Sequence, residues 1–292
     1  MRLGIFTKHI ERDSFEEVLD AVAAHGFAAV QLNLESVVGD AAPIDGLSAE
    51  QCAAVRDGLA SRDIELAAVS GTFFNIIHAD PAERARGFER LRALARTAVS
   101  LGAPRITFAT GTRDAENMWA GHPDNDTPEA FDDMLEAMAV AVQIAAEHEI
   151  VLVFEPEVSN VVDTAAKARR LLDHFSSPWL KVVIDGANLF HAGELPRMRE
   201  VLDEAFALLG PDVHMAHAKD LVRDGHAGNV AAGTGLLDYG HYLQHLSTLG
   251  TDFGGALILH SLDEAQVPES VSFLRNKLEE AVAEVAEARS RL

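Results

Sequence analysis

The sequence predicts an α/β fold, a single (β/α)₈ barrel occupying residues 1–292 as one domain. Three observations lead there. Short apolar, β-branched runs alternate with alanine-rich amphipathic segments from end to end, the pattern of βα units repeated around a parallel sheet. Eight such runs can be read, which suits closure better than a doubly wound open sheet, the alternative architecture. The chain length of 292 residues is also that of one such barrel, and it supports a large core without disulfides.

Taken in order, the expected strands are Leu3 to Thr7, Ala29 to Leu34, Leu66 to Ser70, Arg105 to Thr110, Val151 to Glu155, Lys181 to Asp185, Val213 to Lys219 and Ala256 to His260. Between them, helix starts are marked by Ser14 before Phe15-Glu16-Glu17 and by Ser48 before Ala49-Glu50-Gln51. Helix ends are marked by Gly26 and Gly102. Two connections are longer than closure requires, Gly71 through Asp80 and Gly111 through Thr127. Both follow a strand, so they are expected to cover the site.

Composition narrows the function. The 46 acidic residues against 24 basic ones give a net charge of −22, which repels nucleic acid and anionic membranes. A small-molecule ligand is expected instead, and a homo-oligomer is allowed. No apolar run approaches the roughly 18–20 residues that span a bilayer, and the chain enters its first strand without a signal-peptide core, so a cytoplasmic location is expected. Cys52, the one cysteine, sits in a helical pattern and reads as a small buried residue.

In a barrel of this kind the site lies at the carboxyl ends of the strands. Four runs end in a polar residue there: VLVF in Glu155, KVVI in Asp185, VHMA in His217 and GALIL in His260. Strand parity puts Val151, Val153 and Glu155 on one face, Val183 with Asp185, Met215 with His217, and Ile258 with His260. All four can therefore point into the barrel mouth. Two carboxylates and two imidazoles buried together lose solvation, and one divalent cation would remove that cost. The mixed oxygen and nitrogen donors favour Mn²⁺, with Mg²⁺, Co²⁺, Fe²⁺ or Zn²⁺ as alternatives. His214, of opposite parity, reads as structural.

The segments FEPE (154–157), VIDGANLF (183–190), AHAKD (216–220), AGTGLLDY (232–239) and GALILH (255–260) resemble the xylose-isomerase-like barrel superfamily of sugar isomerases and epimerases, along essentially the whole chain. The resemblance implies a metal site of Glu, Asp, His and Glu from strands five to eight. Glu155, Asp185 and His217 match it, while His260 stands where the second glutamate is expected. It also implies proton transfer beside a carbonyl through an enediolate, with Glu155 as the base. A metal-bound histidine cannot shuttle a proton, so two-base epimerisation gives ground to one-base isomerisation or to dehydration of a keto-sugar or keto-inositol. Glu157 or Asp263 could serve as a second acid. A barrel that binds a sugar without turnover is the non-enzymatic alternative. DNA-repair endonucleases of the same superfamily use several zinc ions and a basic groove, which this charge and ligand set do not offer.

Asn188 replaces a histidine often found in the family and is read as a substrate contact or a loop cap. Lys219 shares parity with His217 and is read as a partner for an anionic or carbonyl oxygen, or else as a salt bridge to Asp220 or Glu155. After strand four, Thr110, Thr112, Arg113, Trp119 and His122 could form a lid over a sugar, or simply pack on the rim. Asn75 and His78 are weaker candidates of the same kind. Gly233-Thr234-Gly235 reads as a turn rather than a phosphate loop, because the lysine and serine of such a loop are missing.

Overall fold

The structure is a computed structural model that describes residues 1–39, 46–249 and 253–290. The last two residues of the expected domain lie outside these. Eight parallel strands form a closed barrel in sequence order: β1 (Arg2–Phe6), β2 (Ala29–Leu32), β3 (Glu65–Ser70), β4 (Arg105–Phe108), β5 (Val151–Phe154), β6 (Leu180–Asp185), β7 (Val213–Ala218) and β8 (Ala256–Leu259). Pairing of Gly4 with Ile258 joins β1 to β8, which excludes the open sheet. The shell contains α1 (Phe15–Ala24), α2 (Glu35–Val38), α3 (Ala49–Ala60), α4 (Pro81–Leu101), α5 (Pro128–Glu147), α6 (Ala165–Phe175), α7 (Met198–Leu209), α8 (Tyr239–Thr248) and α9 (Val267–Ser290).

The helix boundaries follow from side-chain capping. Ser14 accepts from the Glu17 amide, and Ser48 and Gln51 make a reciprocal capping box. Asp80 and Thr127 cap α4 and α5 immediately before a proline, whose missing N–H costs nothing in the first turn. Cys52 is buried in α3, as its surroundings suggested. Among the described residues, no helix is long and apolar enough to cross a membrane.

Strand parity separates two cores. The barrel interior is filled by Phe6, Ala29, Ala67, Ala68, Val153, Val183, Met215, Ala256 and Ile258, with Val151 packed against them. The alternate residues face the helices in a much larger cluster. Interior Val153, Val183, Met215 and Ile258 each lie two residues before a polar strand-end residue, so the same parity aims Glu155, Asp185, His217 and His260 at the mouth.

An ion pair closes the seam between the first and last units. Arg12 donates to both carboxylate oxygens of Glu264, at 2.8 and 2.6 Å, and His25 lies 3.1 Å from the same group. The Arg12 guanidinium beside it holds the Glu264 carboxyl down at about 2, below its ordinary 4.5. A carboxylate with a lower pKa in the folded state adds stability that is complete above the unfolded value and is lost as pH falls through the folded one. The wild type should lose this contribution between pH 4.5 and about 2, whereas Glu264→Gln starts without it. The difference in Tm between the two is expected to close on acidification, and a constant difference would contradict the assignment.

Candidate metal and active site

Three of the four strand-end residues, Asp185, His217 and His260, bring ligand atoms together, and Glu155 adjoins them through His217. Asp185 and His217 are register partners across β6 and β7, so their side chains emerge side by side. Glu155 and His260 stand one residue beyond the strands expected to contain them. Backbone hydrogen bonds still hold each in line, from the Glu155 amide to Phe108 O (3.1 Å) and from the His260 amide to Ala218 O (3.3 Å). His217 Nδ1 lies 3.3 Å from Glu155 Oε2 and 3.9 Å from Asp185 Oδ2. One atom each of Asp185, His217 and His260 lie within 4.8 Å of one another.

Two features show that this cluster fits a divalent cation. Asp185 Oδ2 and His217 Nδ1 are buried and accept no hydrogen bond, although a buried polar atom without a partner is costly. His217 is also held in the tautomer a ligand needs. Its Nε2 lies 2.8 Å from the side-chain oxygen of Gln31, whose amide nitrogen donates to Thr107 Oγ1. A carbonyl oxygen can only accept, so Nε2 carries a proton, and in the neutral ring that a metal ligand requires the lone pair is on Nδ1 and faces Asp185 and Glu155. Burial and the nearby Lys219 ammonium push the His260 imidazole well below its usual range, leaving it neutral. Its Nδ1 meets Ser261 Oγ at 3.0 Å, which leaves Nε2 for the site.

Gln31 was missed in the sequence, where its signal was a lone amide inside the apolar strand AVQL. Gln31→Leu is expected to weaken divalent-metal affinity by about 10- to 100-fold while the fold is retained, and Gln31→Glu should recover part of the loss. Unchanged affinity in a metal titration of Gln31→Leu would exclude the orienting role.

Positive charge at the site comes from Lys219. Its Nζ lies 3.4 Å from Asp185 Oδ2, 3.9 Å from Glu155 Oε1 and 3.5 Å from His260 Nε2. Burial opposes its charge, but the carboxylates of Asp185 and Glu155 outweigh burial and raise its pKa. Of the two alternatives considered for its salt bridge, the contact is with Glu155 rather than Asp220. Asp220 instead accepts from the amides of Leu221, Gly233 and Leu237, which makes Gly233-Thr234-Gly235 a turn and not an anion site.

The carboxylates around Lys219 differ. Burial would raise the Glu155 pKa, yet His217 and Lys219 together hold it below its ordinary value. Burial dominates at Asp185 and raises it. It also pushes the Glu157 carboxyl up to about 7. Asn188 joins Glu155 and Glu157, since its amide nitrogen donates to Glu155 Oε1 and, at 3.4 Å, to Glu157 Oε2. Its oxygen accepts from the Gly228 amide at 2.9 Å, so the orientation of the amide is fixed. A Cβ at Gly228 would stand 2.5 Å from Ala187 Cβ and 2.7 Å from Asp220 O, so only glycine permits this approach. Of the two roles expected for Asn188, the Gly228 contact is of the loop-capping kind, and its amide nitrogen is directed at two carboxylates of the site.

A cavity of about 400 Å³ opens beside the cluster, lined in part by Phe6, Lys8, Asn33, Phe73, Arg90 and Trp119. Phe6 touches the His260 ring edge-on at 6.1 Å between centroids, connecting cavity and cluster. Trp119 lies where a lid was expected. The polar groups of the other proposed contacts organise the loops. Thr110 Oγ1 accepts from the Val162 amide, and Arg113 pairs with Asp133 on α5 at 2.6 Å. His122 caps the turn Pro123–Asp126 by accepting from the Asp124 amide. Asn75 accepts from the Ile77 and Thr112 amides and donates to Thr112 O, tying the two long loops together. Thr112 bonds within its own loop and His78 accepts from the Asp80 amide. Asp263 caps the turn Glu264–Gln266 at the rim.

Comparison with known proteins matches this architecture. No curated protein sequence matches the chain. Among solved structures, a D-tagatose 3-epimerase-like protein superposes with a TM-score of 0.73 at 16% identity, covering 98% of this chain and 100% of that one. An L-ribulose 3-epimerase has the same TM-score and identity, covering 98% and 97%. An IOLI protein with a zinc atom has a TM-score of 0.71 at 16% identity, covering 98% and 99%. The family model for xylose isomerase-like TIM barrels matches residues 19–277, and the chain belongs to that family.

Proposed function

We propose that the protein is a divalent-metal-dependent isomerase or epimerase of a small sugar or sugar derivative, with Glu155, Asp185, His217 and His260 as metal ligands and Mn²⁺ as the favoured ion. One observation carries the reading. Around two buried ligand atoms that accept no hydrogen bond stand three groups suited to proton transfer next to a carbonyl: the ionised Glu155, Glu157, whose proton is retained in part near neutral pH, and the Lys219 ammonium. The ion would supply polarisation of the substrate carbonyl.

The protein's own groups do the rest. Glu155 removes the proton beside the carbonyl, because Lys219 keeps its carboxylate ionised and Asn188 fixes one of its oxygens. Lys219 donates to the oxygen on which enediolate charge develops, from a buried position where such a contact is strong. Glu157 returns a proton, a role that its link to Glu155 through Asn188 supports. It takes over the second proton transfer, for which His260 is unsuited once its lone pair is committed. Trp119 and Phe73 offer apolar surface to the sugar in the adjoining cavity. The epimerases among the solved structures of like fold make ketoses the first substrates to test.

A second reading has one observation in its favour. A protonated Glu157 can also hand its proton to a departing hydroxyl, which would make the protein a dehydratase of a keto-sugar or keto-inositol. Incubation of metal-loaded protein with candidate ketoses and keto-inositols in D₂O separates the two. Deuterium incorporation without loss of mass is expected for the isomerase, loss of water marks the dehydratase, and no reaction with saturable binding marks a sugar-binding barrel.

A further inference from the structure

We propose that the helical shell carries a second divalent-metal site, made by Asp203 of α7 with His241 and His245 of α8 and independent of the barrel mouth. His241 and His245 are four residues apart, so both rings leave the same face of α8. Their centroids are 4.8 Å apart with the planes at 85°. Both Nε2 atoms lie 2.7 Å from a single oxygen, Asp203 Oδ1. One donor atom from each residue falls within 4.8 Å of the other two.

Two imidazole nitrogens and a carboxylate oxygen suit a borderline cation, with Zn²⁺ as the representative and water completing a tetrahedron. Around zinc, with bonds of about 2.0–2.1 Å, such donors stand about 3.3 Å apart. The two nitrogen–oxygen contacts therefore have to open by only about half an ångström to admit an ion. Each Nε2 has to present a lone pair to the ion, its proton passing to Nδ1 or to solvent.

The site is also held in shape before binding. The His245 ring lies flat on Phe206, 4.6 Å between centroids and 4° between planes, which fixes its orientation. The His241 amide donates to Asp238 Oδ1 at the first turn of α8. Asp203 keeps 57% of its side-chain surface exposed, so an ion can enter from solvent. The buried side of α8 gives the site a structural role. Tyr242, between the two histidines, donates to the backbone carbonyls of Ile184 and His217, both at 3.0 Å. An ion bridging α7 and α8 therefore braces the helix that supports the strands carrying Asp185 and His217.

The test is Zn²⁺ binding to the metal-stripped full-length protein, by equilibrium dialysis with elemental analysis, together with Tm. The wild type is expected to bind about two ions per chain, and His241→Ala/His245→Ala about one, with part of the Zn²⁺-induced rise in Tm lost. Asp203→Asn, which preserves shape, should weaken the same ion and guards against misfolding of the double variant. Glu155→Gln/Asp185→Asn should keep the surface ion. One wild-type ion that only the surface variants remove would support this site and count against the barrel-mouth site. Unchanged stoichiometry and Tm response in both surface variants would overturn the inference.

Discussion

Glu155→Gln is expected to leave the fold intact and to lower kcat by roughly 10²–10⁴, the usual contribution of a positioned general base. The amide keeps the shape of the side chain and can still meet Asn188 and Lys219, but it cannot take a proton and is a poor ligand. Measured at saturating metal and ketose, the loss should appear in kcat far more than in ligand affinity. A variant that binds and turns over as the wild type does would remove Glu155 from the chemistry. A protein whose wild type binds a sugar as tightly as the variant, with no turnover in either, is a binding barrel.

Lys219→Met is expected to produce the largest change in stability, and one that depends on metal. In the metal-free protein the ammonium is the cation nearest to Asp185 Oδ2, at 3.4 Å, and it also lies 3.9 Å from Glu155. Removing one partner from a buried ionic cluster costs about 3–5 kcal/mol, because the remaining charge is left uncompensated. A divalent ion brings back the positive charge, so saturating Mn²⁺ should restore most of the loss. Turnover should stay low even then, since the donor to the developing oxyanion is gone. Equal destabilisation with and without Mn²⁺, by denaturant unfolding, would show that the carboxylates do not share an ion.

Much of this site could be read from the sequence, because strand parity is a local property. The two-residue period that places Val183 and Met215 in the interior also places Asp185 and His217 at the mouth, with no long-range information needed. The strands ending at Phe154 and Leu259 stop one residue short of Glu155 and His260, because the ladder loses its partners as the chain turns outward, yet single backbone bonds keep both residues in line. The loops were less legible. Whether Thr110 is free depends on the amide of Val162, and whether Arg113 is free depends on Asp133 of another helix. The oxygen of Asn188 is claimed by Gly228, which approaches only because it lacks a side chain. The pairing of Glu157 with Glu155 likewise depends on that amide.

The most direct test of the central claim is a crystal soaked with Mn²⁺, with the ion located by anomalous scattering. The expected result is one peak at the barrel mouth, about 2.0–2.3 Å from Glu155, Asp185, His217 Nδ1 and His260 Nε2. A peak more than about 3 Å from His260, or no peak among these four residues, would contradict the four-ligand site.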